Sequence, residues 1–246
     1  MATSIIPRCN TLIFDIGDVL YTWSPKTPTP ISPRTLKTIL SSPLWGQYEC
    51  GKLSEAECYQ RVSVEHAVDA SDVARAFEHA RDSLLPNTEL LSFIESLKRE
   101  SGGSLRVFAM SNISQPDFEA LLARESVDWS LFDQVFTSAA AGMRKPDLCF
   151  YKYVVEEIGC DPEMTVFVDD KPDNVLSARS LGMHGVVYSN LSDTRTALRS
   201  LVGDPVQRGW NFLRTRGGQH VSITDSGVVV GENFTQLLLL EATKEP

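Results

Sequence analysis

Residues 11–20 are TLIFDIGDVL, an apolar run that ends in Asp15 and is followed closely by Gly17. Short apolar runs are typical of strands buried inside parallel sheets. A carboxylate at the C-terminal end of such a strand lies at the edge where open α/β sheets bind their ligands. This stretch therefore predicts a central strand with a functional aspartate at its end.

The chain up to about residue 190 alternates between strand and helix patterns. Strands are predicted at residues 105–110, 132–137, 165–168 and 185–188, and helices at residues 114–124, 148–158 and 175–181. Each parallel connection crosses the sheet through a helix, so this alternation favours a doubly wound parallel sheet. The predicted fold class is therefore α/β.

A helical segment interrupts the alternation between the first two strands. Its entry, residues 22–33, is rich in proline, which stiffens the chain and removes helix donors. Helical patterns then cover residues 32–40, 44–85 and 88–99, and Ser54 with Glu57 forms a capping box. We predict that this segment is a small helical cap inserted after the first strand. The alternative is that its helices pack directly on the sheet.

The predicted organisation has three parts. They are a core of residues 1–21 and 100–191, a cap of residues 22–99 and a C-terminal extension of residues 192–246. In the extension, helices are predicted at residues 193–201 and 205–214, and a hairpin around residues 225–227. A last helix, residues 232–242, has an apolar face that needs cover from its own core, a docking partner or a second copy.

Composition limits the partners of the chain. Its 246 residues carry a formal net charge of -9, which disfavours nonspecific binding to nucleic acid. The mean hydropathy is -0.12, and no apolar run is long enough to predict a membrane span. Five scattered cysteines argue against a zinc site and favour a reducing compartment. Since residues 1–10 lack an apolar signal core, we expect a cytoplasmic protein.

Polar residues that can handle a phosphoryl group follow the predicted strands in order. Asp15 could attack phosphorus and form an aspartyl-phosphate, and a buried helix cap is its structural alternative. Ser111 and the backbone N–H of Asn112 could donate hydrogen bonds to phosphoryl oxygens, and a simple turn is their alternative. Lys145 would pair with both the nucleophile and the phosphate rather than lie in solvent. Arg144 is interpreted as structural or substrate-facing.

Adjacent carboxylates predict a metal site after the strand at residues 165–168. Asp169 and Asp170 repel each other unless a cation lies nearby. Oxygen ligands favour Mg²⁺, which also binds phosphate oxygens. Asp173 extends the pair to Asp-Asp-x-x-Asp, a spacing similar to the diphosphate-binding motif of terpene synthases. The alternative role for Asp173 is the N-cap of a helix that begins near residue 174.

In this order, Asp15, Ser111, Lys145 and the Asp169–Asp170 pair resemble the motifs of the haloacid dehalogenase-like phosphohydrolases. The resemblance covers about residues 10–190. It implies a covalent aspartyl-phosphate mechanism in which Asp15 and Lys145 are catalytic. It also implies a Mg²⁺ ion held by Asp15, Asp169, Asp170 and the backbone carbonyl of Gly17.

A closer likeness, to fungal family members of terpenoid biosynthesis, lies in residues 34–61, 166–188 and 232–243. Some of these proteins stand alone as phosphatases, and others precede a terpene-cyclase domain. The likeness implies a small phosphorylated substrate and a Mg²⁺-dependent phosphatase that acts on a prenyl phosphate or diphosphate. One alternative is a terpene synthase that ionises a prenyl diphosphate with the same aspartates. A second is a non-catalytic interaction domain, which the intact Asp15 and Lys145 disfavour.

One position departs from the family pattern. Most family phosphatases have a second aspartate two residues after the nucleophile, where it acts as general acid and base. Gly17 occupies this position here, and Asp18 follows it. Adjacent side chains on an extended segment point in opposite directions, so Asp18 does not simply replace the missing carboxylate. The sequence therefore predicts that the rate follows the stability of the leaving group closely.

Overall fold

In a computed structural model, the chain is described at residues 9–22, 29–124 and 127–203, and as strands at residues 213–214, 220–224 and 227–231. It divides into two compact units, Met1–Val202 and Gly203–Pro246. The strands are β1 (Thr11–Phe14), β2 (Tyr21–Thr22), β3 (Leu85–Pro86), β4 (Arg106–Ser111), β5 (Gln134–Thr137), β6 (Thr165–Asp169), β7 (His184–Val187), β8 (Leu213–Arg214), β9 (His220–Thr224) and β10 (Gly227–Gly231). The helices are α1 (Pro33–Leu40), α2 (Pro43–Glu49), α3 (Glu55–His66), α4 (Ala70–Ser83), α5 (Thr88–Glu100), α6 (Gln115–Leu122), α7 (Ser138–Ala141), α8 (Leu148–Ile158), α9 (Pro172–Ser180) and α10 (Leu191–Val202). Short 3₁₀ helices lie at Trp129–Leu131 and Pro162–Met164.

Five strands of the larger unit form one parallel sheet in the order β5-β4-β1-β6-β7. β1 pairs with β4 on one side and with β6 on the other, so Phe14 is in register with both Ala109 and Val168. All residues of β1 are buried, as expected for a central strand covered on both faces. The predicted α/β class with a doubly wound parallel sheet is confirmed.

Helices cover both faces of this sheet. Leu12 and Phe14 belong to an apolar cluster that includes the buried residues of α5 and α10. Ile13 belongs to a second cluster, which includes the buried residues of α8 and α9. Successive side chains of a strand point to opposite faces, so the short run in β1 contributes to both clusters.

Helices α1–α4 form a third apolar cluster, which we call the cap cluster. Its fully buried residues lie between Ile31 and Phe77 in the chain. The rings of Trp45 and Phe77 stack with 4.2 Å between their centroids. α3 begins with the predicted capping box, in which Ser54 and Glu57 satisfy each other's backbone N–H groups. The chain leaves the core and returns to it through a two-stranded antiparallel ribbon of β2 and β3.

The packing of α5 and α10 bears on the predicted domain boundaries. The boundaries place α5 in the cap and nearly all of α10 in the extension. The buried residues of both helices nevertheless lie in one cluster with Leu12 and Phe14 of the sheet. The division into core, cap and extension stays a prediction, and we propose that the cap proper is formed by α1–α4.

The smaller unit contains an antiparallel sheet in the order β10-β9-β8. β9 and β10 form the hairpin that the sequence predicts around residues 225–227. The helix predicted over residues 205–214 is wrong at Leu213–Arg214, which form β8 and pair with β9. Pairing with a distant strand has overridden the local helical pattern there. The apolar helix predicted at residues 232–242, and the docking role inferred from it, lie outside the described residues.

None of the described helices combines the length and the apolar character that a membrane crossing requires.

Candidate active site

Three carboxylates meet at the C-terminal edge of the parallel sheet. Asp15 directly follows β1, and its backbone N–H donates to the carbonyl of Val168 at 2.8 Å. Asp169 ends the neighbouring strand β6, and Asp170 follows it. One oxygen from each of Asp15, Asp169 and Asp170 lies within 4.8 Å of the others. The parallel register of β1 and β6 therefore brings together residues that are far apart in the chain.

Lys145 lies at the centre of these acidic groups and is only 1% exposed. Its Nζ donates to Asp169 Oδ2 at 2.6 Å and to the carbonyl of Met110 at 2.9 Å. The same Nζ lies 2.9 Å from Asp15 Oδ1. Burial alone would lower the pKa of Lys145, but the carboxylates of Asp15 and Asp169 outweigh burial and raise it. The lysine is thus a fixed positive charge beside the predicted nucleophile.

Asn112 holds the backbone of Lys145 in place. Its Nδ2 donates to the carbonyl of Lys145 at 2.9 Å, and its Oδ1 accepts from the N–H of Lys145 at 2.8 Å. The side chain of Asn112 is therefore committed to the lysine loop. Phosphate binding by its backbone N–H stays a prediction, as does phosphate binding by Ser111, which is buried at the end of β4.

Asn174 is a site residue that the sequence reasoning missed. Its Nδ2 lies 2.9 Å from Asp169 Oδ1 and 3.0 Å from Asp169 Oδ2. The N–H of Lys171 also donates to Asp169 Oδ1, at 2.8 Å. These bonds fix the orientation of Asp169. The usable signal was the position of Asn174 in the first turns of α9, directly after the paired aspartates.

Asp173 and Asp18 do not belong to the group of three carboxylates whose oxygens lie within 4.8 Å of one another. α9 begins at Pro172, so Asp173 lies exposed in its first turn, and the N-cap alternative for Asp173 is wrong. The N-cap position belongs to Lys171. Asp18 is exposed and adopts a left-handed backbone conformation with φ of 55°. A Cβ atom added to Gly17 would meet nothing within 4 Å, so this position has room for a side chain.

The carboxylate group fits a divalent cation. Asp170 Oδ1 is buried and has no hydrogen-bond partner. Burial raises the pKa of Asp170 to about 6, and the neighbouring carboxylates add to this effect while the charge of Lys171 partly opposes it. A set of carboxylate oxygens is the donor type that Mg²⁺ prefers. The ligand role of the Gly17 carbonyl stays a prediction.

A cavity of about 120 Å³ opens beside these residues. Gly17, Ser111 and Asn112 line the end next to the carboxylates. Most of the remaining lining is apolar and comes from both the cap and the core: Ile16, Tyr21, Leu40, Trp45, Phe77, Leu84, Ile113, Ala120 and Leu121. The lining of the cavity thus combines polar groups with a larger set of apolar side chains.

Glu49 of α2 also lines this cavity, and nothing in the sequence pattern pointed to it. Its backbone carbonyl accepts from Ser138 Oγ of the core at 2.6 Å. Its Oε2 lies 2.7 Å from Nη2 of Arg144, so the residue interpreted as structural or substrate-facing pairs with the cap. Glu49 reaches the site only because α2 docks on the core, and that docking is a tertiary event.

A parallel sheet with an aspartate after its central strand, and a helical insertion after that strand, define an α/β protein with the candidate site at the edge of the sheet. A family model described as haloacid dehalogenase-like hydrolase matches residues 47–188. The chain belongs to this family. A second model, the sesquiterpene cyclase astC-like C-terminal domain, matches residues 206–246.

Two fungal relatives confirm the predicted likeness to proteins of terpenoid biosynthesis. The chain is 46% identical over 235 residues to the drimenol cyclase drtB of Aspergillus calidoustus, which is 96% of this chain and 44% of that protein. It therefore spans less than half of that relative. The chain is 39% identical over 191 residues to the sesquiterpene phosphatase astK of Aspergillus oryzae, which is 78% of this chain and 95% of that protein.

Among solved structures, a HAD-like family hydrolase of Porphyromonas gingivalis is similar, with a TM-score of 0.62 and 25% identity. The match covers 80% of this chain and 100% of that one. It agrees with the α/β fold described above.

Proposed function

We propose that the chain is a Mg²⁺-dependent phosphatase that removes phosphate from a prenyl phosphate or diphosphate through an aspartyl-phosphate. One observation carries this proposal: Asp15 is held 2.9 Å from the buried ammonium of Lys145, next to Asp169 and Asp170. Burial raises the pKa of Asp15, and the ammonium of Lys145 opposes this effect and orients the carboxylate for attack on phosphorus. The relative named as a sesquiterpene phosphatase supports the same reaction.

In the proposed reaction, an oxygen of Asp15 forms a bond to phosphorus. The bond from phosphorus to the bridging oxygen breaks, and its electron pair leaves with that oxygen. Ser111 and the Asn112 N–H orient the phosphoryl group, and Lys145 offsets the charge that gathers on it. A water oxygen then bonds to phosphorus, and the carboxylate of Asp15 is released together with inorganic phosphate.

Asp15, Asp169 and Asp170 would hold the metal ion. When bound, Mg²⁺ supplies positive charge to the phosphoryl oxygens and reduces their repulsion of the attacking carboxylate. Asn174 and the N–H of Lys171 hold Asp169 in position for this role. The cytoplasmic location and the small phosphorylated substrate expected from the sequence belong to the same proposal.

The apolar lining of the cavity supports a prenyl substrate. Leu40, Trp45 and Phe77 approach from the cap, and Ile113 and Leu121 approach from the core. An isoprenoid chain would displace water from these side chains, with a gain of about 0.8 kcal/mol for each buried methylene. A sugar phosphate would gain nothing comparable there.

The test is release of inorganic phosphate from farnesyl phosphate and farnesyl diphosphate, with glucose phosphate and a nucleotide for comparison. We expect release from the farnesyl compounds in the presence of Mg²⁺, with farnesol or farnesyl phosphate as the organic product. Faster hydrolysis of the sugar phosphate or the nucleotide would contradict the prenyl assignment. No release from any substrate would contradict the phosphatase assignment.

The second candidate is a terpene synthase, and the drimenol cyclase relative favours it. Such an enzyme would ionise a prenyl diphosphate and return a rearranged carbon skeleton with inorganic diphosphate. Gas chromatography of the organic products separates the two candidates. An unchanged farnesyl skeleton supports the phosphatase, and a cyclised skeleton supports the synthase.

A further inference from the structure

Release of an alcohol in the proposed reaction needs a proton donor. The nucleophile loop, which we define as residues 15–18, does not supply one. An alkoxide is a poor leaving group at neutral pH, so its oxygen must be protonated as the bond to phosphorus breaks. Gly17 has no side chain to donate that proton. Asp18 is exposed and is not among the residues that line the cavity.

Among the described residues, two carboxylates line the cavity: Glu49 and Asp117. Both oxygens of Asp117 are occupied, since Ser114 Oγ donates to Oδ2 at 2.5 Å and Arg81 Nε donates to Oδ1 at 2.5 Å. Asp117 is therefore held by two donors, one of them the guanidinium of Arg81.

Glu49 is the second of these carboxylates. Its Oε1 accepts from Trp45 Nε1 at 3.1 Å. Its Oε2 is buried and forms an ion pair with Arg144, with 2.7 Å to Nη2. The side chain of Glu49 is 14% exposed. Glu49 therefore places a largely buried carboxyl group at the reaction cavity.

We propose that Glu49 of the cap is the general acid and base of this enzyme, in the role for which Gly17 has no side chain. This inference rests on the phosphatase function proposed above. It moves the proton donor from the nucleophile loop to the cap helix α2.

Two contacts hold α2 in the position that this role requires. Ser138 Oγ donates to the backbone carbonyl of Glu49 and also accepts from the N–H of Ile113, which lines the cavity. Gly46, one turn earlier in α2, lets the guanidinium of Arg144 lie against the helix, since a Cβ atom there would be 3.3 Å from Nη1. The carboxyl group therefore has a fixed position relative to the core.

The surroundings of Glu49 favour a carboxyl group that can carry a proton. Burial raises the pKa of Glu49, and the charges of Arg144 and Lys171 only partly oppose this effect. Arg144 faces Glu49 from the loop before α8, and Lys171 comes from the turn after β6. Trp45 faces it from its own helix through the hydrogen bond to Oε1.

Glu49 gives up one proton in the first step and regains one in the second. In the first step, the O–H bond of the Glu49 carboxyl breaks, and the proton goes to the bridging oxygen as the prenyl alcohol leaves. In the second step, the carboxylate of Glu49 takes a proton from the attacking water. The water oxygen bonds to phosphorus, Asp15 is released as a carboxylate, and Glu49 is again protonated.

The test compares leaving groups in Glu49→Gln, with Mg²⁺ present. For an alkyl monophosphate such as farnesyl phosphate, we expect kcat/KM to fall by about 10²- to 10⁴-fold. For p-nitrophenyl phosphate, whose leaving group is a stable anion, we expect a much smaller fall in kcat/KM, which reports the transfer to Asp15. We expect kcat to fall on both substrates, because Glu49 also serves the second step. Activity on p-nitrophenyl phosphate also shows that the variant is folded.

A matched control is Glu55→Gln, which alters another cap carboxylate. Glu55 pairs with Arg81 and is not among the residues that line the cavity. Its variant should keep the wild-type ratio between alkyl and aryl substrates. In the double variant Glu49→Gln with Gly17→Asp, the new carboxyl has room at position 17, and we expect partial recovery on farnesyl phosphate.

The results separate this inference from the proposed function. Equal losses of kcat/KM on both substrates in Glu49→Gln, or no loss of kcat/KM on the alkyl substrate, would overturn the role of Glu49 alone. A wild-type protein that releases no phosphate from any substrate would overturn the proposed function and this inference with it. If Glu49→Gln does not fold, Glu49→Asp gives the same comparison, because it withdraws the carboxyl by one methylene.

Discussion

We call the region of Asp15, Lys145, Asp169 and Asp170 the catalytic edge of the sheet, after its proposed role. The catalytic edge and the cap cluster are both largely buried, but different interactions stabilise them. At the catalytic edge, Lys145 contacts Asp15, Asp169 and a backbone carbonyl at distances between 2.6 and 2.9 Å. In the cap cluster, Trp45 and Phe77 stack without any polar contact between their rings. The first region is a network of directed charges, and the second is an apolar packing of rings.

This difference determines how each region tolerates change. A buried charge that loses its partner costs about 3–5 kcal/mol, so few residue types are acceptable at the catalytic edge. Aromatic pairs contribute about 0.5–1.5 kcal/mol beyond their burial, and other apolar side chains of similar volume can replace them. We therefore expect changes at the catalytic edge to affect every substrate, and changes in the cavity wall to affect only substrates with a long carbon chain.

The largest effect is expected for Asp15→Asn. The amide cannot form the aspartyl-phosphate, so turnover should fall by more than about 10⁴-fold on all phosphorylated substrates. Phosphate release and thermal unfolding should be measured together. A folded variant with wild-type phosphate release would exclude the covalent mechanism.

Removal of the metal should have the next largest effect. EDTA should stop phosphate release, and added Mg²⁺ should restore it, because the three carboxylates lack another divalent charge. Mg²⁺ should also raise the unfolding temperature, with about 2.7 kcal/mol of stabilisation at a concentration of 100 times its Kd. Asp170→Asn should weaken this shift, and Asp173→Asn, which alters an exposed carboxylate, should retain it. A full shift in Asp170→Asn would exclude that residue as a ligand.

A smaller and selective effect is expected for Leu84→Ala, which removes apolar surface from the cavity wall. At about 0.8 kcal/mol for each of the three carbon groups lost, about 2.4 kcal/mol at most, kcat/KM for farnesyl phosphate should fall by up to about 50-fold. For p-nitrophenyl phosphate it should stay unchanged. The control is Val64→Ala on α3, since Val64 is 81% exposed. Equal losses on both substrates would show that the wall supports the catalytic edge rather than the carbon chain.

The smallest effect is expected for Asp82→Asn, which breaks an ion pair at the surface between cap and core. Asp82 Oδ1 lies 3.2 Å from Nη2 of Arg124, and its side chain is 75% exposed. Solvent screens such pairs, so unfolding should become easier by no more than about 1 kcal/mol. Denaturant titration measures this change. A much larger loss would mean that the contact controls how the cap is held on the core.

The sequence was most informative about the elements of the sheet. The central buried strands contain continuous apolar runs. The polar residue that ends such a run is therefore recognisable in the sequence. This is why Asp15, Ser111 and Asp169 could be placed at strand ends from the sequence alone. The helices of the cap were also predictable, because caps such as Ser54 with Glu57 depend on neighbours a few residues away.

The strand at Leu213–Arg214 shows where such reasoning fails. The local pattern of residues suggested a helix. The hydrogen bonds of this strand go to β9, and a local pattern does not reveal such pairing. The N-cap role considered for Asp173 was wrong for a related reason. α9 begins at Pro172, which is earlier than the apolar pattern indicated. An error of a few residues at a helix start is enough to change the role of a side chain.

The sequence by itself determined the order of the chemical groups and the sheet that carries them, because parallel strands bring their C-terminal ends to one edge. Only the tertiary structure decided which side chains complete the site. Asn174 reaches Asp169 through the placement of α9, and Glu49 reaches the cavity through the docking of α2 on Ser138. The contact of Glu49 with Ser138 joins segments that are distant in the chain, and the contact of Asn174 with Asp169 depends on how α9 is placed after β6. Their geometry depends on how whole helices pack, and no local spacing of residues encodes it.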